Sequence, residues 1–323
     1  MMKTTCLFTA GAALLALLSC NREQHPTEGK PVEVTVSIQG TVTRATDVTY
    51  ADESKVSSLQ VFVFNNGKLE DYQDAGEALT TKVAATSGER TVWAVVNAPS
   101  LSNVSTENEL KGGISHLSEN GKSAFVMTGS TTQELTDGGS VSVIVRRIVA
   151  RVSVEKITTD YKYSLAEEDL TVHGIYLINV AGDNTYEASA APASWINQLG
   201  HKDAAYDALL YDAVSATVNN KTPYTKEHVF YPYPNPTEKA CYDDEWSPRH
   251  TMLVVEVTFE GKKGYYPVEL PILERNKTYI INELKLTHRP GDKPYKPIET
   301  GEAVVQITVS DWEVGLDLGT QIL

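Results

Sequence analysis

Hydrophobic positions along this chain recur at every second residue in short blocks, with turn-forming residues between the blocks. Val32, Val34, Val36 and Ile38 alternate with Glu33, Thr35 and Ser37, the pattern of a half-buried strand. A polar run carrying Arg44 and then Ala45 follows. "SLQVFVFNNGKLEDY" predicts a strand, an Asn-Asn-Gly turn and a second strand. "RTVWAVVNAP" is a strand closed by Pro99. Thr106 and Glu109 have capping-box spacing, and Leu110, Ile114 and Leu117 share one helical face, so a short surface helix is expected there. "AFVMTG" is a further strand. In "VSVIVRRIVARVSVEKI", Val141, Val143 and Val145 share one phase, while Ile148, Ala150, Val152 and Val154 share the other. The slip falls at Arg146 and Arg147, which predicts a bulge or a change of sheet.

The second half repeats this style. "LTVHGIYLINV" is a strand, and residues 181–226 carry little pattern and predict long loops with a short helix. "HVFYPYPNP" is a strand stopped by prolines. Leu253, Val255, Val257 and Phe259 alternate, "EGKKG" turns and "YYPVEL" returns. "RNKTYIINELKLT" is another strand, and "AVVQITVSDWEVGLDLGTQIL" closes the chain. Strands every 10 to 20 residues with few helices argue an all-β protein of two β-sandwich domains. The domain boundary is expected near residue 160, in "TTDYKYSLAEED".

The first twenty residues do not fit that scheme. Lys3 precedes the apolar run Cys6–Leu18, which suits a signal peptide and is too short to cross a bilayer. It ends Leu17-Leu18-Ser19-Cys20, which resembles a bacterial lipobox, with Cys20 as the lipidated residue. The alternative is an ordinary secreted protein in which Cys20 is incidental. A flexible tether, "NREQHPTEGKP", comes next. With Cys6 in the leader and Cys20 lipidated, Cys241 is the one thiol left, so no disulfide is expected and stability must come from large cores. The composition, 41% hydrophobic and 22% charged, supplies them. The net charge of −14 argues against nucleic acid or anionic lipid as a partner.

Catalytic signatures are lacking: there is no G-x-S-x-G, H-E-x-x-H or phosphate-binding glycine loop. The seven histidines are scattered, with no pair at metal spacing. Asp243, Asp244 and Glu245 could hold calcium, but adjacent acids without a glycine-spaced loop more often form a solvated turn. Phe230, Tyr231 and Tyr233 could face a carbohydrate, though aromatics beside prolines more often pack. Neither an enzyme nor a cofactor or metal site is expected.

The two ends of the chain stand out instead. Near the C-terminus Val305, Ile307 and Val309 share one phase, and Trp312, Val314, Leu316 and Leu318 share the next. Fourteen extended residues reach about 45 Å, longer than one sandwich needs. This segment is either an ordinary last strand or one that pairs with a neighbouring subunit by strand addition. Val32, Val34, Val36 and Ile38, at about 1.5–3 kcal/mol each, would hold the N-terminal strand by roughly 6–12 kcal/mol. A covalent tether adds an effective concentration of about millimolar. Cutting after Arg44, where no other arginine occurs between Arg22 and Arg90, would let that strand leave.

In order and spacing, Cys20, the strand with its Arg44-Ala45 junction, "RRIVARV", "TMLVVEVTFEGKKGYYPVEL", "RNKTYIINEL" and "VQITVSDWEVG" resemble the major-fimbrillin family of Bacteroidales, the type V pilins. The resemblance implies two transthyretin-like β-sandwich domains in tandem, at 45–160 and 161–323. It implies a signal peptide at 1–20 and a propeptide with a removable strand at 21–44. It further implies export as a palmitate-bearing outer-membrane lipoprotein, cleavage between Arg44 and Ala45 by an Arg-specific extracellular protease, and polymerisation by donor-strand exchange. The donor would be residues 303–323, filling the groove that residues 32–43 vacate. Partners would be other fimbrial subunits, in a homopolymer or a mixed pilus, and host or bacterial surface ligands. A shaft subunit supporting adhesion and virulence is the expected role. A tip adhesin, or a monomeric lipoprotein that binds glycan or matrix, is the alternative.

Overall fold

The computed structural model describes residues 29–39, 53–163, 169–238, 241–298 and 304–312. Strand β1 (Pro31–Gln39) comes first. β2 (Leu59–Asn65) and β3 (Lys68–Gly76) form the expected hairpin. It turns at Asn66 (φ 48°) and Gly67 (φ 78°), two successive left-handed residues whose twist matches the flanking strands. β4 (Thr80–Thr86) and β5 (Gly88–Val96) follow. Helix α1 (Glu107–Gly112) opens on the expected capping box. The Glu109 amide donates to Thr106 Oγ1 at 3.2 Å, and the Thr106 amide donates to Glu109 Oε2 at 3.1 Å.

The helix stops sooner than the apolar spacing predicts. Leu110 and Leu117 are buried, but Ile114 is half exposed and begins strand β6 (Ile114–His116). Gly112 and Gly113 end the helix between them, because glycine gives up the most backbone freedom in a helix.

β7 (Met127–Leu135), β8 (Ser140–Ile144) and β9 (Arg146–Arg147) complete the first sandwich. One sheet runs β4-β1-β8 and the other β3-β2-β5-β7-β9. The alternation of β2 feeds two cores. Leu59, Val61 and Val63 meet β1, whereas Phe62 and Phe64 face the opposite way, into a larger core continuous with the second half. The phase slip at Arg146–Arg147 is a change of sheet: β8 lies in one sheet, β9 in the other, and β10 (Arg151–Val154) in a third.

β10 and β11 (Ile157–Thr159) precede the boundary expected at residue 160, yet both pair in parallel with a strand of the second half. That half contains β12 (Leu170–Ile178), β13 (Val180–Ala181), β14 (Asp183–Thr185) and β15 (Trp195–Ile196). Helix α2 (Asp207–Leu210) and β16 (Tyr211–Val218) come next. They are followed by β17 (His228–Phe230), β18 (Met252–Phe259), β19 (Lys262–Glu269), β20 (Lys277–Leu286) and β21 (Val304–Asp311). One sheet is β16-β12-β18-β19. The facing sheet is built on β20, which pairs with β10 and β11 along one edge and with β21 along the other. Val172, Val255 and Val257 of the first sheet share a core with Val152, Ile281 and Leu284 of the second. The fold is all-β, as its patterning predicts. β16 answers to no sequence expectation: the segment expected to be loops contains this eight-residue strand.

Candidate functional site

The two ends singled out by the sequence occupy unlike places. β1 lies inside its sheet, antiparallel to β4 from Pro31↔Thr86 to Ser37↔Thr80 and parallel to β8 from Thr35↔Ser140 to Gln39↔Ile144. Val32, Val34 and Val36 are 7%, 1% and 0% exposed. They pack on Val61, Val63, Val92, Ala94 and Leu135 of the facing sheet. Ile38, expected to join them, is only half-buried at the rim of that core. The alternation carries this arrangement: three valines point inward and the residues between them point to water.

Backbone bonds hold β1 on both sides. The Thr35 amide donates to Gly139 O at 3.0 Å, the Ile38 amide to Leu79 O at 3.1 Å and the Val145 amide to Gln39 O at 2.9 Å. At its start the chain passes so close to Ser87 that a Cβ on Gly29 would stand 2.0 Å from Ser87 O. The ion pair Lys82–Glu33, at 2.5 Å, has both side chains exposed, so it adds little.

A second charged group stands at the end of the β1 groove. Glu70 on β3 accepts from Arg90 Nε at 2.8 Å and from Thr86 Oγ1 at 2.5 Å. Partial burial pushes the Glu70 carboxyl up, but the bonds from Arg90 and Thr86 outweigh it and hold it below the usual glutamate range.

β21 is an edge strand, antiparallel to β20 from Lys277↔Asp311 to Lys285↔Val304, with an irregularity between Ile281 and Leu284. Val305 pairs with Leu284 and Ile307 with Ile281. Ile307 is half-buried against the large core, and Val309 is 51% exposed. Trp312, just past the strand, is buried at 6%. Cys20, Arg44, Ala45, Val314, Leu316 and Leu318 lie outside the described residues.

Trp312 ends in a cluster that the sequence reading missed. Its indole N–H donates to Glu53 Oε2 at 3.0 Å, and the Tyr231 hydroxyl donates to Glu53 Oε1 at 2.5 Å. Arg151 Nε stands 3.4 Å from the same Oε1. Arg147, wholly buried, donates from Nε to the Glu53 backbone oxygen at 2.9 Å, and its guanidinium lies 4.4 Å from the Trp312 ring centre. Phe125 and Tyr231 rings flank the indole at 5.8 and 5.9 Å. A lone glutamate in a polar stretch carries no sign of burial. The signal available was Arg151 among the apolar positions after the phase slip, which called for a carboxylate once buried.

The other candidates resolve into packing. Phe230, Tyr231 and Tyr233 are buried, so they offer no face to a carbohydrate. Asp243, Asp244 and Glu245 are exposed on a loop, and among the described residues no group of acids, histidines or cysteines could hold a metal. That loop is ordered from beneath by Arg249, which donates to the carbonyls of Cys241, Asp243, Glu245 and Ser247. His228 is buried between Asp212 (2.9 Å) and Tyr224 (2.8 Å) and serves the core. An open cleft of about 450 Å³ runs along the β7 and β8 edges, lined by Lys111, Thr131, Ser142, Ile144, Arg146 and Arg275. Burial and the neighbouring Arg146 push Arg275 down to about 10. Its Nη2 donates to the carbonyls of Thr128 and Arg146, so it stitches the two halves together.

Comparison with known proteins fits this geometry. Residues 31–160 match the model of the family described as Major fimbrial subunit protein (FimA). A protein of Parabacteroides distasonis named as a fimbrium tip subunit, Fim1C, is 26% identical over 303 residues, covering 80% of this chain and 76% of its own. The crystal structure of a fimbrilin from Porphyromonas gingivalis superposes with a TM-score of 0.64 at 16% identity, over 88% of this chain and 98% of that one. The tip fimbrial protein Mfa3 of the same organism, truncated at its C-terminus, superposes with a TM-score of 0.54 at 15% identity, over 87% of this chain and all of that one. The resemblance carried by the sequence motifs is thus met by that family model over residues 31–160, and the all-β fold is like that of the fimbrilin structure.

Proposed function

We propose that this chain is a surface-exposed fimbrial subunit in which β1 is a temporary occupant of its groove. The observation that carries the reading is the seat of β1. It lies between two strands of its own sheet, buries three valines, and is bound by backbone hydrogen bonds on both sides, with no buried charge or aromatic ring of its own. A strand held in that way is replaceable by any other strand with small apolar residues at alternate positions. Its departure leaves two rows of backbone donors and acceptors and an apolar slot, a surface that demands a new strand.

In this reading the precursor is exported with a lipid on Cys20 and held at the outer membrane. An Arg-specific extracellular protease cuts between Arg44 and Ala45 and frees β1 from its tether. A C-terminal strand of a neighbouring subunit then fills the slot, in a homopolymer or a mixed pilus. The role is structural, with no catalytic step. The shaft position follows from having both a cleavable junction and a strand to donate. Membership of the tip is the second reading, and the relative named as a tip subunit favours it.

The test is to treat purified precursor with an Arg-specific protease and image it by electron microscopy. Filaments from wild type and monomers from Arg44→Ala are expected. Filaments from Arg44→Ala as abundant as from wild type sink the switch at that bond. Gold-labelled antibody along the filament supports a shaft subunit; label at one end alone supports a tip.

A further inference from the structure

The cluster around Glu53 ties together five stretches of chain, one of them Tyr231 just after β17. Glu53 lies nine residues after Arg44. Phe125 precedes β7, Arg147 and Arg151 flank the passage between the two halves, and Trp312 follows β21. Trp312 is fixed by backbone as well as side chain: its amide donates to Asn276 O at 3.1 Å and its indole to Glu53 at 3.0 Å. Its ring is flanked by Phe125 and Tyr231 and covered by the Arg147 guanidinium. Withdrawing it would uncover a buried carboxylate and an indole-sized hole between the halves. β21 leads into this anchor while paired to β20 along its length.

We infer that Trp312 is a pivot. β21 as far as Trp312 stays in its own subunit when a polymer forms, and the segment given to a second copy of this chain begins at Glu313. The inference rests on the strand-exchange reading above and names the part of the strand that moves. The residue order supports the division. Nine residues from Glu313 to Gln321 equal the nine of β1. Laid on it in the same direction, Val314, Leu316 and Leu318 fall on Val32, Val34 and Val36, the three buried positions. Thr320 falls on Ile38, which is half-buried and tolerates a polar neighbour of water. Gly315, Asp317 and Gly319 fall on Glu33, Thr35 and Ser37, the positions between. Val305, Ile307 and Val309 are not needed to fill the groove.

A reversible staple tests this. Ile280 and Thr308 face each other across β20 and β21. Antiparallel partners stand at a spacing a disulfide can bridge. Ile280→Cys with Thr308→Cys, in a Cys241→Ser background, locks β21 in place when oxidised and frees it when reduced. After protease treatment, oxidised and reduced protein are expected to form filaments to the same extent. Filaments from the reduced form with monomers from the oxidised form overturn the pivot, because β21 itself must then leave. Leu316→Asp is expected to abolish filaments while leaving the thermal midpoint of the monomer unchanged, and undiminished filaments from it also overturn the pivot. If the processed wild-type protein itself forms no filaments, the strand-exchange reading falls and the pivot falls with it.

Discussion

β1 and β21 are both terminal strands with alternating apolar residues, yet they are held by opposite means. β1 has a partner on either side and spreads its attachment over Val32, Val34 and Val36. Among the described residues β21 has a partner on one side, leaves Val309 half exposed, and leads into Trp312, the most buried side chain at that end. A strand held by many small, equal contacts has no fixed point: once its tether is cut it can leave as a whole, and another strand can take over each contact in turn. A strand held at one end by an aromatic ring and a buried carboxylate can lose its pairing without losing its root. The first arrangement suits an occupant to be replaced, and the second suits a hinge.

The largest effect that separates them is expected at the root. Trp312→Ala should cost about 3–5 kcal/mol in urea unfolding, since it opens a large cavity and removes the indole donor from Glu53 Oε2. A cost below about 1 kcal/mol would show that the indole anchors nothing and that the two strands are held alike. On β1 no single residue should matter so much. Val34→Ala and Val36→Ala remove two methyl groups each from fully packed sites and should each cost about 2 kcal/mol in the same measurement. If one of them approached the Trp312 value, the attachment of β1 would not be distributed.

Next in size is the charged group at the end of the β1 groove. The Glu70 carboxyl is held below its ordinary range by Arg90 and Thr86 in the folded chain. Its stabilising contribution is therefore complete above the ordinary glutamate pKa of about 4.3 and is lost as pH falls through the lower folded value. Glu70→Gln should cost about 1–2 kcal/mol at pH 7, because Arg90 loses a largely buried charge partner. The gap between variant and wild type should narrow below about pH 4.3 and close as pH falls through the lower folded value, where both side chains are neutral. Denaturant midpoints measured from pH 7 down to acid check the sign; a gap that widens on acidification would mean that burial, not Arg90, governs the carboxyl.

What was legible in the sequence follows from period and turn chemistry. β1, the β2–β3 hairpin, the capping box of α1 and the sheet change at Arg146–Arg147 each have a local signal, and each stands where the pattern placed it. β16 escaped notice because Ala213, Val214, Ala216 and Val218 supply too little apolar contrast against Asp212, Ser215 and Thr217. It is an edge strand and needs only one buried face. Helix α1 was overextended because Ile114 and Leu117 continue its apolar spacing, although Gly112 and Gly113 forbid the turn between. Glu53 was invisible for a deeper reason. Its burial is created by Arg147, Arg151, Tyr231 and Trp312, which come from distant parts of the chain, and no local pattern encodes such a meeting.

The smallest expected effect lies along the body of β21, and it completes the contrast. Val309 is opposite Tyr279 in the ladder, yet 51% exposed, with no strand beyond it on that edge among the described residues. Val309→Thr keeps the β-branched shape and removes little packing, so the unfolding free energy should change by no more than about 0.5 kcal/mol. The same exchange at Val36 buries a hydroxyl with no partner in an aliphatic core and should cost several times as much. Equal costs at the two positions would mean that the middle of β21 is as firmly seated as β1, and that the strand has no need of Trp312 to hold it. A near-neutral Val309 beside a costly Trp312 would show that the strand's hold is at its end, where a pivot belongs.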